Sequence, residues 1–138
     1  MTEFLLDSRL QADCHAVGDL PLCRVLLFDD SRYPWVVLVP RRAGLREIYA
    51  LPAMDRATLF EEVSRVGEEL MRVCPGDKLN LGALGNLVPQ LHLHLVVRSA
   101  DDPAWPGPVW GHSAARPYAA EAVAERLALL RSALGMTG

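Results

Sequence analysis

Residues 80–98 contain the pattern that most restricts the fold, an unbroken alternation of apolar and polar residues. Within Gln90–Val97, Gln90, His92 and His94 occupy one register, and the other register holds Leu91, Leu93, Leu95 and Val97. Successive side chains of a β-strand point to opposite faces of the sheet. The alternation therefore predicts a strand whose apolar side faces a core. Both imidazoles and the amide would lie on the open side, with the imidazoles about 6–7 Å apart, which is two strand rises.

The segment just before this strand is rich in glycine. Gly82 and Gly85 lack a Cβ atom, so the backbone can turn sharply there or approach a ligand closely. Amide N–H groups exposed in such a turn can bind an anion. The two halves together predict an anion-binding turn that leads into a strand carrying two histidines.

Composition limits the classes of protein to which the chain can belong. Its 138 residues fit one domain over 1–138, and 51% hydrophobic with 22% charged residues is typical of a globular protein. A net charge of −3 argues against binding to long nucleic acid, which needs clustered positive charge. The N-terminus has no signal-peptide pattern and the longest apolar run, Trp35–Val39, is too short to span a membrane, so we expect a cytoplasmic protein. The three cysteines are an odd number without CxxC spacing, which predicts neither disulfides nor a cysteine zinc site.

Periodicity and turn residues predict the other elements of an α+β fold. Strands grouped in pairs around one long helix favour an antiparallel sheet that is covered on one face. Segment 101–111 cannot be regular, because it has three prolines and two glycines in eleven residues. The predicted elements are a short helix from its N-cap Ser8 to about Cys14, a hairpin of strands Leu22–Asp29 and Trp35–Pro40, a helix at Ala53–Cys74, a strand at Lys78–Ala83, the histidine strand, and a C-terminal helix marked by Val123, Leu127, Leu130 and Leu134.

The residues alone leave three interpretations of the histidine strand open. The two imidazoles can be polar residues on the solvated face of an antiparallel sheet. They can chelate a metal such as zinc, although His15 and His112 are distant in sequence and the strand has no acidic residue. They can also perform nucleophilic catalysis on phosphorus, because a histidine that donates one ring proton to a backbone carbonyl keeps a free lone pair on the other nitrogen. Only the third interpretation also uses the glycine-rich turn, which would bind the phosphate.

The stretch resembles the signature of the histidine-triad superfamily of nucleotide hydrolases and transferases, which is His-φ-His-φ-His-φ-φ with φ apolar. The matching residues are Gln90-Leu91-His92-Leu93-His94-Leu95-Val96. Upstream, Asn80-Leu81-Gly82 is similar to the family's Asn-x-Gly, and Gly85-Asn86-Leu87-Val88 to its Gly-Gln-x-Val. Trp105-Pro106-Gly107 is similar to the Trp-Pro-Pro-Gly tail of the nucleotide-binding branch.

The resemblance implies an antiparallel sheet of about five strands with one long central helix and a C-terminal helix, assembled as a homodimer. It implies that His92 attacks an α-phosphate and forms a nucleotidyl-histidine that is then hydrolysed, while His94 hydrogen-bonds the scissile phosphate. The implied substrate is a small nucleotide compound, such as a nucleoside phosphoramidate or a dinucleoside polyphosphate, and the chemistry needs no metal or other cofactor. The substrate-binding residues that it implies are Asn80, Gly85, Asn86, Leu87 and Arg98.

Two positions depart from the family pattern. Gln90 stands where the signature has its first histidine, and Ala43 stands where family members often have a supporting histidine. One hypothesis is a rebuilt catalytic network in which the Gln90 amide replaces an imidazole, since an amide can donate and accept hydrogen bonds. The alternative is a nucleotide-binding module with little or no catalysis.

Overall fold

Five antiparallel strands and three α-helices make up residues 3–136, which are the part of the chain that this computed structural model describes. The strands are β1 (Cys14–Asp19), β2 (Cys23–Phe28), β3 (Trp35–Pro40), β4 (Lys78–Gly82) and β5 (Leu93–Arg98), and the helices are α1 (Ser8–Asp13), α2 (Ala53–Val73) and α3 (Ala120–Ala133). They form one sheet in the order β1-β2-β3-β5-β4, with every neighbouring pair antiparallel. The predicted α+β fold is confirmed. None of the described helices combines the length and apolar character that crossing a membrane requires.

The long helix α2 covers one face of this sheet because its apolar residues recur at helical spacing. Leu59, Val63, Val66 and Leu70 form a single buried stripe, and each is less than 10% exposed. The stripe packs, together with Leu130 and Leu134 of the C-terminal region, against strand residues that include Leu93, Leu95 and Val97 of β5. The apolar register of the alternating stretch therefore faces the main core, as predicted.

The N-terminal region differs from the prediction in two ways. Ser8 is not the N-cap of α1, because the side chain of Asp7 accepts a hydrogen bond from the Arg9 amide at 2.8 Å. Cys14 is not on the helix either, since it begins β1, a strand that the sequence analysis missed. β1 lies at the edge of the sheet with Val17 as its one buried residue, and its pairing with β2 shifts between Ala16 and Gly18. A strand of this kind leaves no alternation in the sequence.

The second face of the sheet is covered, so the expectation of an open face carrying the histidines is wrong. Trp35, Val37 and Val39 of β3 face this side, and all six residues of β3 are buried. The cover consists of residues 4–10 and the irregular segment after β5, which contribute Leu10, Phe4, Leu6, Ala104, Val109 and Trp110 to the second cluster. His92 and His94 are consequently only 7% and 8% exposed.

Candidate active site

His92 lies just before β5, where the chain leaves the glycine-rich turn, rather than within the strand as predicted. Its Nδ1 atom is 2.7 Å from the backbone carbonyl oxygen of Gln90. A carbonyl oxygen can only accept a hydrogen bond, so Nδ1 carries the ring proton and donates it. The second ring nitrogen, Nε2, therefore keeps its lone pair in the neutral ring.

His94 on β5 has the opposite arrangement. The indole Nε1–H of Trp35 donates to Nδ1 of His94 at 3.0 Å. Because Nδ1 accepts, the proton of the neutral His94 ring is on Nε2. Burial, with a smaller contribution from repulsion by His92, lowers the pKa of His94 to about 3. His94 is therefore a neutral hydrogen-bond donor at physiological pH.

The two rings are adjacent and differ in what they present to a ligand. Their centroids are 4.9 Å apart, with an angle of 72° between the ring planes. His92 has a lone pair on Nε2, whereas His94 has a proton there. A nucleophile and a donor placed side by side can act on one electrophilic centre, with the donor on an oxygen of that centre.

A cavity of about 390 Å³ opens beside the two histidines. Its walls are formed on one side by α1 and the end of β2, through Leu10, Asp13 and Phe28, and on the other by residues 84–88 of the glycine-rich turn. Its volume lies in the range of cavities that bind small molecules. A second cavity, of about 200 Å³, lies against the other side of the turn and is lined by Arg46, Tyr49 and His92 among others.

The glycine-rich turn lines the larger cavity. Gly85 has a φ of +72°, which an L-residue rarely adopts, so glycine is required there. Within residues 3–136, no hydrogen-bond acceptor lies opposite the amides of Gly85, Asn86 or Leu87. The side chains of Asn86 and Leu87 line the cavity, and Leu87 is 80% exposed. The predicted residues Gly85, Asn86, Leu87, His92 and His94 are thus brought together.

Gln90 is placed differently from the hypothesis that its amide replaces a catalytic imidazole. Its Nε2 donates to the carbonyl oxygen of Leu5, and its Oε1 accepts from the amide of Asp7, both at 2.9 Å. The side chain therefore joins the N-terminal segment to the start of the histidine stretch. Among the hydrogen bonds of residues 3–136, it is the backbone carbonyl of Gln90 and not its side chain that accepts from the imidazole of His92.

Arg98 and Asn80 are not at this cavity. Arg98 is 1% exposed and forms two hydrogen bonds with the carboxylate of Asp102, at 2.8 and 2.9 Å. Its remaining terminal nitrogen donates to Oδ1 of Asn80 at 3.0 Å. Both predicted residues are thereby engaged in holding the segment after β5 against the sheet.

Sequence analysis did not assign Trp35, Leu10 or Asp13 to this site. Trp35, which begins β3, contacts His94 directly, while Leu10 and Asp13 line the cavity. Trp35 belongs to an uninterrupted apolar run, which is typical of a strand buried on both faces. That run was the available signal that something covers the histidine face.

Arg41, Arg42 and Trp110 make structural contacts and do not line the larger cavity. The guanidinium of Arg41 donates to the carbonyl oxygens of Leu20 and Pro21, and that of Arg42 pairs with Asp55. Trp110 packs edge-on against Trp35 and His94. Across residues 3–136, no group of three or more histidine, cysteine or acidic side chains could hold a metal ion.

Comparisons with known proteins agree on one family. The family model described as the HIT domain matches residues 9–101. A crystal structure of a histidine triad protein from Marinobacter aquaeolei VT8 is 50% identical, with a TM-score of 0.95 over 97% of this chain and 98% of that one. A histidine triad protein from Bradyrhizobium japonicum is 45% identical, with a TM-score of 0.92 over 95% of this chain and 98% of that one. One from Sinorhizobium meliloti 1021 is 42% identical, with a TM-score of 0.91 over 94% and 96%. A search of the curated proteins finds no match.

Proposed function

This chain belongs to the histidine triad (HIT) domain family, and we propose that it is a nucleotide hydrolase or transferase in which His92 attacks the α-phosphate of a small nucleotide compound. The observation that carries the proposal is the hydrogen bond of 2.7 Å between Nδ1 of His92 and the carbonyl oxygen of Gln90. It leaves an unprotonated Nε2 on a ring that borders the cavity. A neutral imidazole with a fixed tautomer is a competent nucleophile at neutral pH.

The turn supports phosphate binding. Residues 85–87 line the cavity and their amides have no hydrogen-bond partner within residues 3–136, so these amides and the Asn86 side chain are available to donate to phosphate oxygens. The Nε2–H of His94 adds a further donor beside the nucleophile. Donors fixed in advance around an oxygen that gains charge are the usual source of transition-state stabilisation in such sites.

The reaction has two steps. The lone pair on Nε2 of His92 forms a bond to the α-phosphorus, while the bond from phosphorus to the leaving group breaks and the leaving group takes the electron pair. Water then attacks the phosphorus, the bond between nitrogen and phosphorus breaks, and the nucleoside monophosphate and the free imidazole are released. A different acceptor in place of water makes the same reaction a transfer.

His94 assists by hydrogen bonding and does not act as a general acid. A general acid at neutral pH needs a pKa near the working pH, whereas the pKa of His94 is about 3. The neutral ring keeps the proton on Nε2 and shares it with a phosphate oxygen. The proton that the leaving group needs comes from solvent water.

Intact-mass spectrometry tests the nucleophile. After incubation with a nucleoside phosphoramidate and quenching without acid, the wild type should carry one nucleotidyl group. His92→Ala should carry none. His112→Ala, which removes an exposed histidine outside the cavity, should keep the adduct. An adduct on His92→Ala, or neither adduct nor product across phosphoramidates and dinucleoside polyphosphates, would contradict the proposed mechanism.

A second candidate function is nucleotide binding without turnover. The amide of Gln90 is occupied by Leu5 and Asp7, and the exposed Ala43 has no side chain to support the nucleophile. Calorimetry with a nucleoside monophosphate distinguishes the two. Micromolar binding by both the wild type and His92→Ala, without product from any substrate, would favour the binding module.

We also propose that the chain forms a homodimer through β4. This strand is at the edge of the sheet, so one side of its backbone has no neighbouring strand, and Leu81 on it is 51% exposed. Light scattering coupled to size exclusion should give twice the chain mass. Leu81→Lys should shift the mass towards the monomer, whereas a monomeric wild type would contradict the proposal.

A further inference from the structure

We propose that Trp35 is a positioning residue for the reaction, which holds the His94 ring in its Nε2–H tautomer so that His94 donates to the phosphate. The inference rests on the proposed function for its catalytic meaning. The hydrogen bond itself does not depend on that function, because indole Nε1 is 3.0 Å from Nδ1 of His94 in the structure. Among the hydrogen bonds of residues 3–136, no other one reaches a ring nitrogen of His94. Trp35 is therefore the residue that determines which nitrogen of this ring carries the proton.

The register of the sheet produces this contact. Trp35 on β3 is opposite Val96 on β5, and Val37 is opposite His94. Trp35 and His94 are therefore diagonal neighbours on the same face, a separation that an indole ring can span. The hydrogen bond joins the first residue of one strand to the second residue of its neighbour.

The chemistry of the indole makes the choice of tautomer unambiguous. Tryptophan has one N–H donor and no acceptor, so its only possible hydrogen bond to an imidazole uses a nitrogen that has a lone pair. A hydroxyl at the same place could donate or accept and would allow either tautomer. With Nδ1 engaged as the acceptor, Nε2 must carry the proton while the ring is neutral, and burial keeps the ring neutral.

The tautomer matters because the two histidines must do opposite things at one phosphate. His92 needs a lone pair on Nε2 to attack phosphorus, and its own tautomer is set by the carbonyl of Gln90. His94 needs a proton on Nε2, because a lone pair there would face an anionic oxygen and repel it. In the other tautomer, Nε2 of His94 would no longer donate a hydrogen bond to the phosphate oxygen, and its lone pair would repel that oxygen.

Trp35 is held rigidly enough for this role. It is 5% exposed, and its ring stacks on Phe28 with centroids 4.2 Å apart. The rings of Tyr33 and Trp110 pack edge-on against it, with centroids 6.1 and 6.3 Å from the centroid of the indole. These contacts leave the indole little freedom to rotate, so the N–H stays directed at His94. Packing alone would explain an aromatic ring here but not the direction of the N–H.

Nuclear magnetic resonance of the ligand-free wild type tests the inference without reference to activity. Long-range proton–nitrogen spectra of protein labelled with 15N in histidine and tryptophan report which nitrogen of each neutral ring is protonated, and His94→Gln assigns the His94 signals. We expect the Nε2–H tautomer for His94, the Nδ1–H tautomer for His92, and a coupling across the hydrogen bond between Trp35 Nε1 and His94 Nδ1. An Nδ1–H tautomer for His94, or no such coupling, would overturn the inference.

The variant Trp35→Phe keeps an aromatic ring but removes the N–H together with the pyrrole ring that carries it. We expect a mixture of His94 tautomers, and a kcat about tenfold lower with little change in KM, a loss equivalent to one neutral hydrogen bond. Val39→Ala, which opens space on the same face of β3, should keep the pure tautomer and the wild-type kcat. A pure Nε2–H tautomer in Trp35→Phe would overturn the inference, and the wild-type spectra decide the matter if this variant does not fold. If the wild type shows the expected tautomers but converts no nucleotide, the proposed function fails, and what stands is that Trp35 fixes the tautomer of His94.

Discussion

Replacement of His94 by glutamine should make the protein less sensitive to mild acid. His94 is 8% exposed, and burial lowers its pKa from the ordinary value of 6.5 to about 3. In the unfolded chain the same ring regains its ordinary pKa. Between these two values the unfolded state binds more protons than the native state, so the free energy of unfolding falls as the pH is lowered through that window. Above the upper value the ring is neutral in both states and contributes no pH dependence.

The size of the effect follows from the two pKa values. At pH 5 the native His94 ring is almost entirely neutral, whereas about 97% of the unfolded rings are protonated. The linkage relation then gives a loss of about 2 kcal/mol in the free energy of unfolding between about pH 8 and about pH 5. That loss is a large fraction of the roughly 5–15 kcal/mol by which a typical domain is stable.

Urea unfolding of the wild type and His94→Gln at about pH 8 and about pH 5 measures this difference. A glutamine keeps an oxygen that can accept the indole N–H of Trp35, so the hydrogen bond that the substitution removes can be replaced. The fall in stability from the higher to the lower pH should be about 2 kcal/mol smaller in the variant than in the wild type. Val96→Ala, which opens a cavity on the same face of β5, controls for destabilisation and should keep the wild-type fall. Equal falls in the wild type and His94→Gln would refute the reasoning.

Three further predictions concern contacts outside the reacting atoms. Gln90→Leu removes both hydrogen bonds from this side chain to the N-terminal segment. It should therefore lower the free energy of unfolding by about 1–3 kcal/mol and speed amide hydrogen exchange in residues 4–13. Unchanged exchange in these residues would count against that role of Gln90. Asp102→Asn should lower the free energy of unfolding in urea by about 3–5 kcal/mol, since it breaks the buried pair with Arg98, whereas the exposed Asp101→Asn should have little effect. Burial raises the pKa of all three thiols, so a thiol reagent at about pH 8 should label the native protein far more slowly than the urea-unfolded protein; equal rates would contradict this.

The elements with a strong period were predictable from sequence. The stripe of α2 and the apolar run of β3 give the ends of those elements to within a residue. β1 was not predictable, because an edge strand with one buried side chain and an irregular register has no period to read. The antiparallel pairing of β2 with β3 followed from the short turn between them.

The parts of the candidate site that lie within one stretch of sequence were predictable. The parts that depend on contacts between distant segments were not. The glycine turn and the two histidines lie within one stretch, and the structure brings them together. The amide of Gln90 could not be placed, because its partners Leu5 and Asp7 lie more than eighty positions away in sequence. The Trp35 contact depends on the register between two strands that are distant in sequence, which no local pattern encodes.

The charge of the site favours substrates with few negative charges. Burial keeps the His94 ring neutral, and the larger cavity is lined by a single charged side chain, the carboxylate of Asp13. Phosphate recognition there depends on neutral N–H donors, which can satisfy one phosphate but not the extra charge of a polyphosphate. We therefore expect a higher kcat/KM for a nucleoside phosphoramidate than for a dinucleoside polyphosphate of the same base.

Asp13→Asn should reduce this difference in kcat/KM between the two substrates, because it removes a negative charge that repels the longer substrate. Rate measurements on the two substrates at low and high salt test this, because screening should raise kcat/KM for the polyphosphate more than for the phosphoramidate. A preference for the polyphosphate that grows at low salt would mean that a cation, such as Arg46 of the smaller cavity, dominates recognition.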